Sequence, residues 1–116
     1  MQVLPRAVVL GALCFGLSAC AGVNNPSPTT AADAITIDVV AINGAQSFSP
    51  NPASVPAGRL VVWRNVDRET HRVVLNDGSV DTGNLAPGMS SSPMPIGTPG
   101  PYHCRIHPEM VGSVTR

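Results

Sequence analysis

An all-β sandwich of seven or eight strands is predicted by three features of the 116-residue sequence. Apolar residues recur with a period of two, and nowhere with the 3.6-residue period of an amphipathic helix. Eleven Gly and twelve Pro make up nearly a fifth of the chain, so turns are frequent and long helices are disfavoured. The strands that these turns separate are short and closely spaced, as in two packed sheets.

The first residues stand apart from that pattern. Arg6 supplies a short positive segment, and residues 7–19 form an uncharged stretch of 13 residues. That is below the ~20 needed to span a bilayer as a helix and suits a cleaved export signal. The stretch ends in Leu17, Ser18, Ala19 and Cys20, which resembles the bacterial lipobox, whose Cys is diacylated and becomes the new N-terminus. The expectation is a signal peptide over residues 1–19, a lipidated Cys20 opening a flexible linker over 20–33, and one domain over 34–116. Residues 21–32 carry no charge, two prolines and no hydrophobic period, as a solvated tether requires. The exported protein would thus be held at a lipid bilayer, facing the periplasm or the cell exterior, by acyl chains each of whose buried methylenes contributes about 0.8 kcal/mol.

Within the domain, Ile35, Ile37, Val39 and Ala41 alternate with Thr36, Asp38, Val40 and Ile42, and Asn43-Gly44 ends the run with a turn signal. Pro50 and Pro52 exclude a helix after Phe48. Leu60, Val61, Val62 and Trp63 have the apolar density of a buried strand. Residues 70–75 form a second strand after an acidic turn, with His71, Val73 and Leu75 on one face and Arg72 and Val74 on the other. His71 therefore points where the core residues point. Residues 90–96 read as an edge segment interrupted by Pro93 and Pro95, and Tyr102, His103 and Cys104 resume a strand before the last one over 111–115. Tyr102 and Cys104 share a face, which leaves His103 on the opposite, solvent-facing side.

Cysteine usage is informative. Cys14 leaves with the signal and Cys20 carries lipid, so Cys104 is a lone thiol in an oxidising compartment, without a partner for an intramolecular disulfide. It opens a cluster in which Cys104, His107 and Met110 follow at intervals of three. A tight loop leaving a strand would aim a thiolate, an imidazole and a thioether at one point. Soft sulfur with imidazole favours copper over hard cations, and two His, one Cys and a weak axial Met define a blue-copper electron-transfer site. The second imidazole is then His71.

At these residues the sequence resembles the cupredoxin family, and amicyanin and plastocyanin within it. The resemblance runs from Phe48 to the C-terminus, through Val62-Trp63-Arg64-Asn65, His71-Arg72-Val73, Leu85-Ala86-Pro87-Gly88 and Tyr102-His103-Cys104 to Met110. The two residues between His107 and Met110 look like the short ligand loop of amicyanin. The resemblance implies a Greek-key sandwich holding one type 1 copper ion, with His71, Cys104 and His107 as strong ligands and Met110 as the weak axial one. It also implies one-electron transfer between Cu(II) and Cu(I), with the edge of His107 emerging in an apolar patch built by Pro87, Gly88, Met89 and Pro108. The implied partners are a redox protein, such as a cytochrome or a membrane oxidoreductase, and the lipid bilayer; a monomer is expected.

Three positions depart from the family pattern. Arg72 stands where Asn commonly braces the ligand loop, which predicts a looser site or a shifted potential. The interval of 33 residues from His71 to Cys104 is shorter than in plastocyanin, so one strand is expected to be poorly formed. Pro93 and Pro95 predict an irregular edge.

Composition narrows the functional classes. Seven Arg, no Lys and seven acids give a formal charge of zero, and no basic run is available to neutralise phosphates, so nucleic acid is not an expected partner. No nucleophile is paired with a base, and there is neither a phosphate loop nor a carboxylate pair, so an enzyme is not expected. A second class of function is a copper-binding lipoprotein that stores, delivers or detoxifies copper outside any redox chain, with Met89 and Met94 as auxiliary thioethers for Cu(I).

Overall fold

The structure, a computed structural model, describes residues 33–116. The expected signal peptide, the lipidated Cys20 and the linker as far as residue 32 lie outside the described residues. Eight strands form two four-stranded sheets. The first sheet holds β1 (Ile35–Val39), β2 (Phe48–Ser49), β4 (Leu60–Asn65) and β6 (Met94–Pro95), in the order β2-β1-β4-β6. The second holds β3 (Ala53–Ser54), β5 (Val73–Leu75), β7 (Gly100–Cys104) and β8 (Val111–Thr115), in the order β3-β8-β7-β5. Both sheets are mixed: β1 runs parallel to β4 and β3 parallel to β8, while the other pairs are antiparallel. The chain changes sheet at five connections, while the consecutive strands β1–β2 and β7–β8 pair within one sheet.

The period-two reading explains which side chains fill the space between the sheets. Ile37 and Val39 of β1, Val61 and Trp63 of β4, Val73 and Leu75 of β5, and Tyr102 and Cys104 of β7 are all buried. On the outer face of the first sheet, the register pairs Asp38 with Arg64, and the guanidinium donates two hydrogen bonds to the carboxylate at 2.8 and 3.0 Å. Aromatic residues are scarce, and Phe48, Trp63 and Tyr102 meet in one place. Tyr102 packs edge-on against Phe48 at 4.8 Å and against Trp63 at 5.7 Å, joining the two sheets through their middle. Burial pushes the Tyr102 phenol pKa upward, against a smaller opposing effect of the Trp63 indole. The tyrosine therefore stays neutral.

Two segments depart from regular pairing. The edge expected over residues 90–96 is reduced to Met94–Pro95 and an isolated bridge from Ser90 to Arg64. Pro93 and Pro95 have no N–H to offer a ladder. The strand expected over residues 70–75 narrows to Val73–Leu75, because the His71 backbone pairs with Leu85 instead of with β7. That detour carries His71 to the end of the sandwich where β7 also ends. Met94, expected as loop packing or an auxiliary thioether, is half-buried and packs against the core, while Met89 is exposed.

Candidate metal centre

Cys104 is the last residue of β7 and pairs with Val73 in register, so the inward parity of Tyr102 continues to the thiol. The chain then turns sharply. The Met110 N–H donates to the His107 carbonyl at 2.9 Å, and the Cys104 N–H donates to the Met110 carbonyl at 3.0 Å. This closes residues 104–110 into a tight loop that ends in the fully buried Met110. The spacing of three between Cys104 and His107 thus becomes a contact in space. His71 enters from the opposite side, held at both backbone groups by Leu85: its N–H donates at 3.0 Å and its carbonyl accepts at 2.7 Å.

The donors of His71, Cys104 and His107 lie within 4.8 Å of one another. Each imidazole presents Nδ1 to the Cys104 Sγ at 3.8 Å, and the two rings meet edge-to-face at 5.2 Å. The Arg72 backbone N–H reaches the same sulfur at 3.5 Å. His71 and Cys104 are completely buried and His107 is half-exposed. Two imidazole nitrogens converging on a buried thiol form a soft donor set that fits copper. His103 points to the other face of β7, where Nδ1 meets the Asn76 Oδ1 at 2.6 Å.

The position of Arg72 is resolved by its backbone. The side chain turns outward and forms a bidentate pair with Asp81 at 2.8 and 2.6 Å, while its N–H serves the Cys104 sulfur and its carbonyl accepts from the Arg105 N–H at 2.7 Å. The contact to sulfur is thus made by a peptide group that any residue type supplies.

Two residues around the cluster escaped the sequence reading. Asp67 Oδ2 lies 2.8 Å from His71 Nε2, the ring nitrogen remote from the thiol. Burial opposes ionisation of Asp67, but hydrogen bonds from His71 and from the Arg68 and Glu69 backbone, with the attraction of His71, outweigh it and hold the carboxyl below its usual range. Asn65, the buried last residue of β4, ties the turn together. Its Oδ1 accepts from the Asp67 N–H at 2.9 Å, and its Nδ2 donates to the Glu69 and Leu85 carbonyls at 2.7 and 2.8 Å. A carboxylate four residues before a ligand-type His and two residues after an Asn was the available signal.

The fold has counterparts among solved structures. A purple cupredoxin from Nitrosopumilus maritimus matches with a TM-score of 0.58 and 26% identity, over 72% of this chain and 98% of the other. An amicyanin variant in its oxidized state matches with a TM-score of 0.58 and 25% identity, over 74% of this chain and 84% of the other. The Cu(I) form of another amicyanin variant matches with a TM-score of 0.56 and 25% identity, over 79% of this chain and 93% of the other. No protein-family model matches the chain, and no curated protein matches its sequence. The described residues have the cupredoxin fold, and the cluster of His71, Cys104 and His107 fits a type 1 site for one copper ion.

Proposed function

With a cupredoxin fold and a copper-type cluster as premises, we propose that this chain is a membrane-tethered one-electron carrier. The observation that carries the reading is the convergence of His71 Nδ1, Cys104 Sγ and His107 Nδ1 at the buried end of β7. Those three atoms would hold the metal, with Met110 supplying the weak axial thioether, and bound copper would supply the Cu(II)/Cu(I) couple. The chain's own part is rigidity and access. His71 and Cys104 are anchored in the core, so the donor set does not relax freely between the preferences of the two oxidation states. The Arg72 N–H polarises the sulfur.

His107 is the exposed member and the exit toward a partner. Around that end Met89, Ile106 and Val66 are exposed apolar side chains, and Pro87 and Pro108 are exposed as well. The partner is a redox protein, such as a cytochrome or a membrane oxidoreductase, that docks there briefly through a small apolar interface. Cleavage before Cys20 would remove Arg6 and leave six Arg against seven acids, a formal −1 with His neutral. So little charge favours apolar docking over electrostatic steering, and lipid on Cys20 confines the carrier to the bilayer surface.

Adding Cu(II) to the metal-free protein is expected to produce an intense thiolate-to-copper absorption that is bleached and restored by reduction and reoxidation. Cys104→Ser is expected to abolish it. A colourless wild type that takes up only Cu(I) would replace the carrier reading with copper storage or delivery. Mass spectrometry of the membrane fraction tests the anchor, and an unlipidated N-terminus downstream of Cys20 would remove it.

A further inference from the structure

We propose that Asp67 is a positioning residue of the metal centre: its carboxylate dictates which nitrogen of His71 faces Cys104, and its negative charge favours the oxidised state of the bound copper. The proposal rests on the copper-carrier reading for its second half only. The first half follows from hydrogen-bond chemistry in the protein alone.

The His71 ring is completely buried, so water does not choose its tautomer. Nε2 lies 2.8 Å from a carboxylate oxygen, and an ionised carboxylate only accepts. Nε2 must therefore carry a proton, and in the neutral ring this leaves the Nδ1 lone pair directed at the Cys104 sulfur 3.8 Å away. Asp67 is not a mobile surface acid. Its side chain is only 18% exposed, and its backbone N–H is held by the buried Asn65. The same Asn65 binds the carbonyl of Leu85, whose backbone grips His71 from the other side. One side chain thus fixes both the carboxylate beneath the ring and the segment beside it. Among the described residues, no carboxylate bonds to the ring of His107.

A carboxylate behind a ligating imidazole fixes the ring and raises its basicity. Oxidised copper carries one more positive charge than reduced copper, so a fixed negative charge one ring away stabilises the oxidised state more. Low local polarity strengthens the difference.

The test uses the full chain as wild type, D67N and D67A. Asparagine keeps an oxygen acceptor for Nε2–H while removing the charge, and alanine removes both. In the metal-free protein, nitrogen NMR of the imidazoles is expected to show the Nε2–H tautomer at His71 with a slowly exchanging ring proton, retained in D67N and lost in D67A. A wild-type His71 with its proton on Nδ1 overturns the proposal. In the copper-loaded protein, D67N is expected to raise the reduction potential while leaving the visible spectrum in place. D67A is expected to bind Cu(II) about 10–100-fold more weakly; a tenfold loss at unchanged Cu(I) affinity corresponds to about 59 mV for one electron. A blue wild type whose D67N variant has the same potential overturns the role of the charge. Failure of the carrier reading is separate and appears as missing thiolate-to-copper absorption in the wild type itself.

Discussion

His71 and His107 offer the same atom to the same sulfur at the same distance, 3.8 Å, yet the fold holds them in opposite ways. His71 sits on a segment bonded to Leu85, is sealed from solvent, and is braced by Asp67. His107 rides a turn closed by local backbone hydrogen bonds and keeps part of its ring in solvent. On the carrier reading, the difference divides the labour of the site. The inner imidazole belongs to the core and defines the donor geometry, while the outer one belongs to the surface and defines access. A site built from two inner imidazoles would be insulated from its partner, and one built from two outer imidazoles would exchange metal and geometry too easily.

Removing each ring in turn should break this symmetry most clearly. His71→Ala leaves a cavity at a fully buried position and strips Asp67 of its partner, so the metal-free protein is expected to lose about 2–4 kcal/mol in a denaturant titration. His107→Ala removes a half-exposed side chain, and the metal-free stability is expected to stay within about 0.5 kcal/mol of wild type. Both variants should lose the thiolate-to-copper absorption. Added imidazole should restore it in His107→Ala, where solvent reaches the gap, and not in His71→Ala. Equal destabilisation, or rescue of both variants, would show that the two ligands are held alike.

A smaller perturbation can be sent through the core alone. Tyr102 lies across β7 and β8 directly over Gly112, and a Cβ at that glycine would intrude on its ring and hydroxyl. The ring is wedged between Phe48 and Trp63 and has nowhere to retreat. Gly112→Ala is therefore expected to cost about 1–3 kcal/mol as an overpacked core. Its NMR shift changes should extend along β7 and β5 to Cys104 and His71 and die out before the loop of His107. Changes that reach residues 105–109 as strongly as His71 would contradict the division between inner and outer ligands.

How much of this was legible in the sequence depends on the range of the interaction concerned. Strand parity is local, and it placed His71, Val73 and Leu75 on the buried face and Cys104 with Tyr102 inside, leaving His103 outside; the structure agrees at each. The ligand spacing of 104, 107 and 110 is also local, and the loop closes over it. The prolines at 93 and 95 announced the broken edge because a missing N–H is a property of the residue itself. The roles of Asn65 and Asp67 were missed for the converse reason. Their roles depend on a turn that brings a carboxylate beneath an imidazole and on a carbonyl 20 positions away, which no periodicity encodes. The shortening of β5 has the same origin, since it follows from a non-local pairing of His71 with Leu85.

The smallest expected effect concerns a second carboxylate, one that touches the surface of the centre and not its donors. Asp81 is held at a pKa of about 2 by the Arg72 guanidinium and then by the Gly83 N–H. A folded pKa below the unfolded value of about 3.9 means that the stabilisation is present above that value and is lost as pH falls toward about 2. Both side chains are more than a third exposed, so solvent and salt screen the pair and its contribution at neutral pH is small. Asp81→Asn should remove that acid-range slope from a pH series of denaturant titrations, and the difference from wild type should shrink further in high salt. Neither Asp81→Asn nor Arg72→Ala should move the copper absorption, because the Arg72 contact to Cys104 is a backbone N–H that survives both changes. A band displaced by Arg72→Ala would show that the guanidinium reaches the electronics of the sulfur, and Asp81 would then join Asp67 among the charges that set the potential.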